Sequence, residues 1–138
     1  MTVTYLLDTN TVSYIVKGIS LAARARLAQL DKGEVACISS ITAAEIHHGL
    51  AKKPPSPAFR AAIEGFLNKI PILPWDREEA VVYGSLHAKQ EAAGKPLENM
   101  DMLIAAHAIA VDAVLVTHDG VFQHVADLSS TVDWATDL

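Results

Sequence analysis

Apolar positions along the chain take turns between short continuous runs and longer repeats spaced three and four residues apart. Residues 3–7 form a short β-rich apolar run and predict a buried strand. Asp8 follows and can cap a helix over 9–16, which Gly18 stops. Residues 21–30 are alanine-rich and predict a helix with Ser20 as its cap, broken by Gly33. A second strand is expected over 34–38 and a helix over 42–51, where Thr42-Ala-Ala-Glu45 reads as a capping box. The proline-rich segment 52–57 is a loop. Beyond it, Ser56 and Pro57 open a helix to residue 68. A short strand over 70–73 lies among prolines. Asp76 starts a longer helix ending near Gly94, and another runs over 100–111. A strand at 113–116, an Asp119-Gly120 turn with a short helical piece and an edge strand at 131–133 complete the pattern.

Strands alternating with helices predict an α/β fold: a mainly parallel central sheet with helices on both faces, as one domain over 1–138. Ligands of such sheets bind outside the carboxyl ends of the strands, so chemistry is sought there.

Composition narrows the classes. Hydrophobic residues make up 51% and charged residues 20%, which excludes a disordered chain. Cys37 is the single cysteine, so neither an internal disulfide nor a paired-cysteine zinc site can form. A reducing cytoplasm follows as the expected location, with no membrane span. Eleven Lys and Arg against sixteen Asp and Glu give a net charge of −5. A basic nucleic-acid coat is therefore absent, and an anionic substrate would need a cation or a local basic patch.

Four acids fall where the strand-end rule points. Asp8 follows the first strand, Glu45 lies soon after the second, and Asp119 follows the strand at 113–116. Asp101 opens the helix that feeds that strand, so it joins the same edge. Each has an ordinary explanation as a cap or a turn residue. Together they repel one another, and a divalent cation relieves that cost; hard oxygen donors suit Mg²⁺ or Mn²⁺. The chain holds no GxGxxG, no GxxxxGK[ST] and no HExxH. Asp8-Thr-Asn10 lacks the second aspartate of an aspartyl phosphatase, and no lysine follows the late strand as a receiver would require.

The segments Leu6-Leu-Asp-Thr-Asn10, Ser39-Ser-Ile-Thr-Ala-Ala-Glu45-Ile-His-His-Gly49, Asn99-Met-Asp101-Met-Leu-Ile-Ala-Ala-His107-Ala and Leu115-Val-Thr117-His-Asp119 resemble, in order and spacing, the four motifs of PIN-domain ribonucleases. Among these the chain is most similar to the VapC-like toxins of bacterial toxin–antitoxin pairs. The resemblance implies a three-layer PIN-like sandwich and an endoribonuclease dependent on Mg²⁺ or Mn²⁺. Asp8 and Asp101 would be the central metal ligands, with Glu45 and Asp119 completing the site. Asn10 and Thr117 would support it through hydrogen bonds. The resemblance also implies an antitoxin partner and a homodimer. The loop after Thr117 is shorter than the family's, with Phe122 as its core anchor. A catalytically inactive PIN-like module that binds RNA or protein is the alternative.

Lys17, Arg24, Arg26 and His118 are the candidate contacts to RNA phosphate, together with Lys52 and Lys53. His48, three residues from Glu45, is a lesser candidate for the site. Tyr14, Ile15, Leu21, Leu27 and Leu50 supply apolar surface where, by resemblance, an antitoxin segment would dock. Cys37 reads as a buried small hydrophobe.

Overall fold

The computed structural model describes residues 2–125 and 127–138. Among these residues five strands are present: β1 (Val3–Leu7), β2 (Glu34–Ser39), β3 (Ile72–Leu73), β4 (Val114–Val116) and β5 (Thr131–Val132). Six helices connect them: α1 (Thr9–Val16), α2 (Leu21–Ala28), α3 (Ser40–Lys52), α4 (Pro57–Lys69), α5 (Arg77–Ala92) and α6 (Asn99–Ala110). A 3₁₀ turn spans Gly120–His124.

The strands form one sheet in the order β3-β2-β1-β4-β5, and every pairing is parallel. Leu6 pairs with Cys37 on one side and with Leu115 on the other. Because side chains alternate across a strand, neighbours in sequence serve opposite faces. Leu6, Cys37 and Leu115 pack with Leu86, Met102 and Ala105 on the α5/α6 side. Leu7, Ile38 and Val116 pack with Val12, Ile15, Leu50 and Ile63 on the other side. The result is a three-layer α/β/α sandwich in which both sheet faces are covered, as parallel sheets require. Both edge strands are two residues long, which limits the unpaired backbone they present.

Two boundaries differ from the pattern. The capping box over Thr42 and Glu45 does not form. β2 runs directly into α3, and Ser39 caps that helix by accepting the Ile41 N–H at 3.0 Å. Thr42 is then inside the helix and buried. The strand expected over 70–73 keeps only Ile72 and Leu73, because Ile70 terminates α4.

The strand order reverses at β1. From β1 the chain steps outward to β2 and β3, then returns to place β4 on the other side. A crevice opens at such a switch point, between the ends of β1 and β4.

Candidate active site: an acidic cleft at the switch point

A cleft of about 500 Å³ opens there, lined by Asp8, Thr9, Asn10, Glu45, Glu98, Asp101 and Asp119 among others. All four acids singled out in the sequence are thus brought together. Asp8 caps α1, its Oδ1 accepting the Thr11 N–H at 2.8 Å. Asp119 accepts the Val121 N–H at 3.0 Å and starts the 3₁₀ turn. Capping and cleft-lining coexist in these two residues. The caps fix the carboxylates rather than explain them away.

Glu45 is oriented from outside its own helix. Thr9 Oγ1 donates to Glu45 Oε1 at 2.6 Å, and among the described residues the second carboxylate oxygen has no hydrogen-bond partner. Thr117 stands between two acids. Its Oγ1 accepts the Asp119 N–H at 3.1 Å, and its hydroxyl faces Asp8. Burial raises the Asp8 pKa, and the Thr117 hydroxyl and Thr11 act against that shift. Burial pushes Asp101 up to about 6, reinforced by the charges of Asp119, Glu98, Asp8 and Glu45. All these neighbours are acids, and among the described residues no Lys or Arg lines the cleft.

Among the described residues, no three His, Cys, Asp or Glu side chains converge as a preassembled ion cage. The carboxylates instead stand around an open cleft. That arrangement fits a small hard cation that keeps part of its water shell and binds through few carboxylates, as Mg²⁺ does.

Two cleft features escaped the sequence reading: the Thr9 hydroxyl as the partner of Glu45, and Glu98 as a fifth acid. The first depends on contact between distant helices. The second was readable from its position one turn before Asp101.

The basic candidates lie elsewhere. Arg24 donates through Nε and Nη2 to the Ile15 carbonyl at 3.1 and 2.7 Å, closing the end of α1. Arg26 grips Glu34 at 2.7 and 3.1 Å and lies over the Tyr5 and Trp134 rings. Glu34 opens β2, at the end of the sheet opposite the cleft. Both arginines hold parts of the fold together, and neither lines the cleft. His118 turns to Asp133, with Nδ1 2.7 Å from Oδ2, and does not line the cleft. His48 is exposed and also outside it. Lys17 and Lys53 border a neighbouring groove of about 390 Å³ between α1, α3 and α4, which meets the cleft at Thr9 and Glu45. Val12, Val16, Ile46, Leu50, Phe59 and Ile63 supply its apolar wall. Of the five residues expected to form a docking surface only Leu50 lines this groove. Ile15 is core and Leu21 is 65% exposed.

An acidic cleft at the switch point of a 3-2-1-4-5 parallel sheet defines the class. The profile of the PIN domain matches residues 5–128. The chain belongs to the PIN-domain family and to its VapC branch. It is 36% identical over 115 residues to ribonuclease VapC2 of Haemophilus influenzae, covering 83% of this chain and 86% of that one. It is 33% identical over 132 residues to the tRNA(fMet)-specific endonuclease VapC of Shigella flexneri, covering 95% and 98% of the two chains. It superposes on a chain of VapBC2 from Rickettsia felis, bound to a DNA fragment from its promoter, with a TM-score of 0.87 and 30% identity. That alignment covers 95% of this chain and 98% of the other.

Proposed function

We propose that this chain is an endoribonuclease toxin of a toxin–antitoxin pair, dependent on Mg²⁺ or Mn²⁺. The observation that carries the reading is the gathering of Asp8, Glu45, Asp101 and Asp119 in one cleft, where their like charges repel. Relatives named ribonuclease and endonuclease support the reaction class.

Asp8 and Asp101 would hold the cation, with Glu45 and Asp119 completing its surroundings. When bound, the cation would offset the phosphodiester's charge and make an attacking water more acidic. The protein's part is orientation. Thr9 fixes one oxygen of Glu45, so the other can accept a proton from a water entering the cleft. Thr11 and Thr117 favour the ionised form of Asp8 and offset part of the rise that burial imposes on its pKa. Asn10 supplies the cleft's neutral amide, suited to a sugar or phosphate oxygen.

The adjoining apolar groove suits an antitoxin segment, since relatives of this fold occur as VapBC complexes. Its opening at Glu45 would let a basic side chain of that segment reach the acids.

The test is cleavage of total cellular RNA by purified, antitoxin-free protein with Mg²⁺ or Mn²⁺. Discrete fragments that vanish with EDTA and with Asp101→Asn are expected. Absence of cleavage by folded protein with either metal would favour a binding module.

A further inference from the structure

Outside the cleft, one buried polar contact ties together the helices that carry two of its acids. His107, on α6, has no exposed surface, and its Nδ1 lies 2.7 Å from Ser39 Oγ. Ser39 is equally buried; it ends β2 and caps α3. Glu45 follows Ser39 on α3, and Asp101 precedes His107 on α6, at the same sequence distance. A second tie runs beside the first: Trp75 donates its backbone N–H to Ser40 Oγ at 3.1 Å and its indole Nε1–H to the Leu103 carbonyl at 3.0 Å.

Ser39 Oγ accepts the Ile41 N–H and keeps a second lone pair and its own proton, so it can serve His107 Nδ1 either as donor or as acceptor. The other ring nitrogen, Nε2, is buried without a hydrogen-bond partner among the described residues. Glu79, itself buried, lies within electrostatic reach of the ring, and its charge acts against the burial that lowers the ring's pKa. A Leu or Phe would fill the same space without an unpartnered nitrogen. What the imidazole adds is a directional contact to the start of α3. No solvent or substrate reaches this pair, so it is not a reaction centre.

We propose that His107 is a positioning residue: through Ser39 it sets α3 against α6, and so places Glu45 relative to Asp101. This rests on the acidic cleft being the metal and reaction site.

The first measurement uses metal-free, ¹⁵N-labelled full-length chain and reads the His107 ring by long-range proton–nitrogen correlation. An Nδ1 signal that shifts when Ser39 is replaced in Ser39→Ala is expected. An Nδ1 signal unchanged by Ser39→Ala overturns the proposal. The second compares Mn²⁺ binding, by electron paramagnetic resonance, in wild type, His107→Phe and His107→Asn. Asparagine keeps a polar group near the Nδ1 position, whereas phenylalanine keeps the volume. His107→Phe is expected to bind Mn²⁺ roughly tenfold or more weakly, and His107→Asn to stay near wild type. A packing role alone predicts the reverse order, and folded His107→Phe with wild-type affinity overturns the proposal. Should either variant fail to fold, the ring measurement still decides. A folded wild type that binds no Mn²⁺ sinks the cleft reading itself, and the positioning role with it.

Discussion

Asp101 carries the sharpest conflict between fold and charge. Its pKa is pushed up to about 6 by burial and by surrounding carboxylates, against about 3.9 for a free aspartate. The native state therefore holds the proton more tightly than the unfolded chain does. This group's contribution to stability is complete below the unfolded value and is lost as pH rises through about 6. His107, whose burial lowers its pKa, tilts stability the opposite way as pH falls below its ordinary value. The clean comparison is thus wild type against Asp101→Asn. In metal-free protein at pH 7.5 the variant is expected to be more stable by on the order of 1 kcal/mol after solvent screening. That gain corresponds to about 4 °C in Tm and shrinks toward pH 5; differential scanning calorimetry at the two pH values reads it. The same substitution is expected to end RNA cleavage, on the proposed function. Thr9→Val tests orientation in isolation. Loss of the 2.6 Å donor to Glu45 is expected to slow RNA cleavage roughly tenfold with an unchanged circular dichroism spectrum. The acids were legible because strand ends can be read from hydrophobic runs. The Thr9 contact was not, because a hydroxyl's partner on another helix leaves no trace in local spacing.

Helices and strands were readable in type and order, and their ends less so. The misplaced start of α3 shows why. Thr42 and Glu45 have the spacing of a capping box, but β2 passes into α3 without a loop, and Ser39 takes the cap. Local chemistry offered two starts, and pairing of Ile38 and Ser39 with β3 selected one. A similar competition decides Arg24. Its charge suggested a partner outside the protein, yet α1 ends in carbonyls that need donors, and Arg24 supplies them from α2. Arg24→Ala is expected to cost about 1–2 kcal/mol in urea unfolding, while cleavage per folded molecule holds.

At the scale of the whole molecule, the cleft and the apolar groove share a border at Thr9 and Glu45 but use different walls. They can be separated by substitution. Gly49 lines the groove within α3, and a side chain added there meets nothing within 4 Å. Gly49→Gln is expected to stabilise the helix by about 0.5 kcal/mol while filling the groove. Affinity for the cognate antitoxin, by titration calorimetry, is expected to fall by roughly tenfold or more, with RNA cleavage unchanged. Equal loss of both activities would mean that groove and cleft act as one surface. The three-layer architecture itself was legible because strand and helix patterns alternate throughout. The position of the basic residues was not, since Arg26 and its partner Glu34 lie at the far end of the sheet.

The strand order also sets when the acidic cleft is completed as the chain is made. β1 is the middle of the sheet, yet one of its two neighbours, β4, lies more than a hundred residues downstream. On the ribosome, the first strand waits with one flank open while residues 8–113 are added. At about 5–20 residues per second, that wait lasts several seconds or more. Asp8, Glu45 and Asp101 are already made by then, but the crevice between β1 and β4 is not. A nascent or prematurely terminated chain that stops short of β4 therefore carries three of the four acids without the wall that gathers them. Toxicity, on the proposed function, switches on only once β4 has been made and paired with β1.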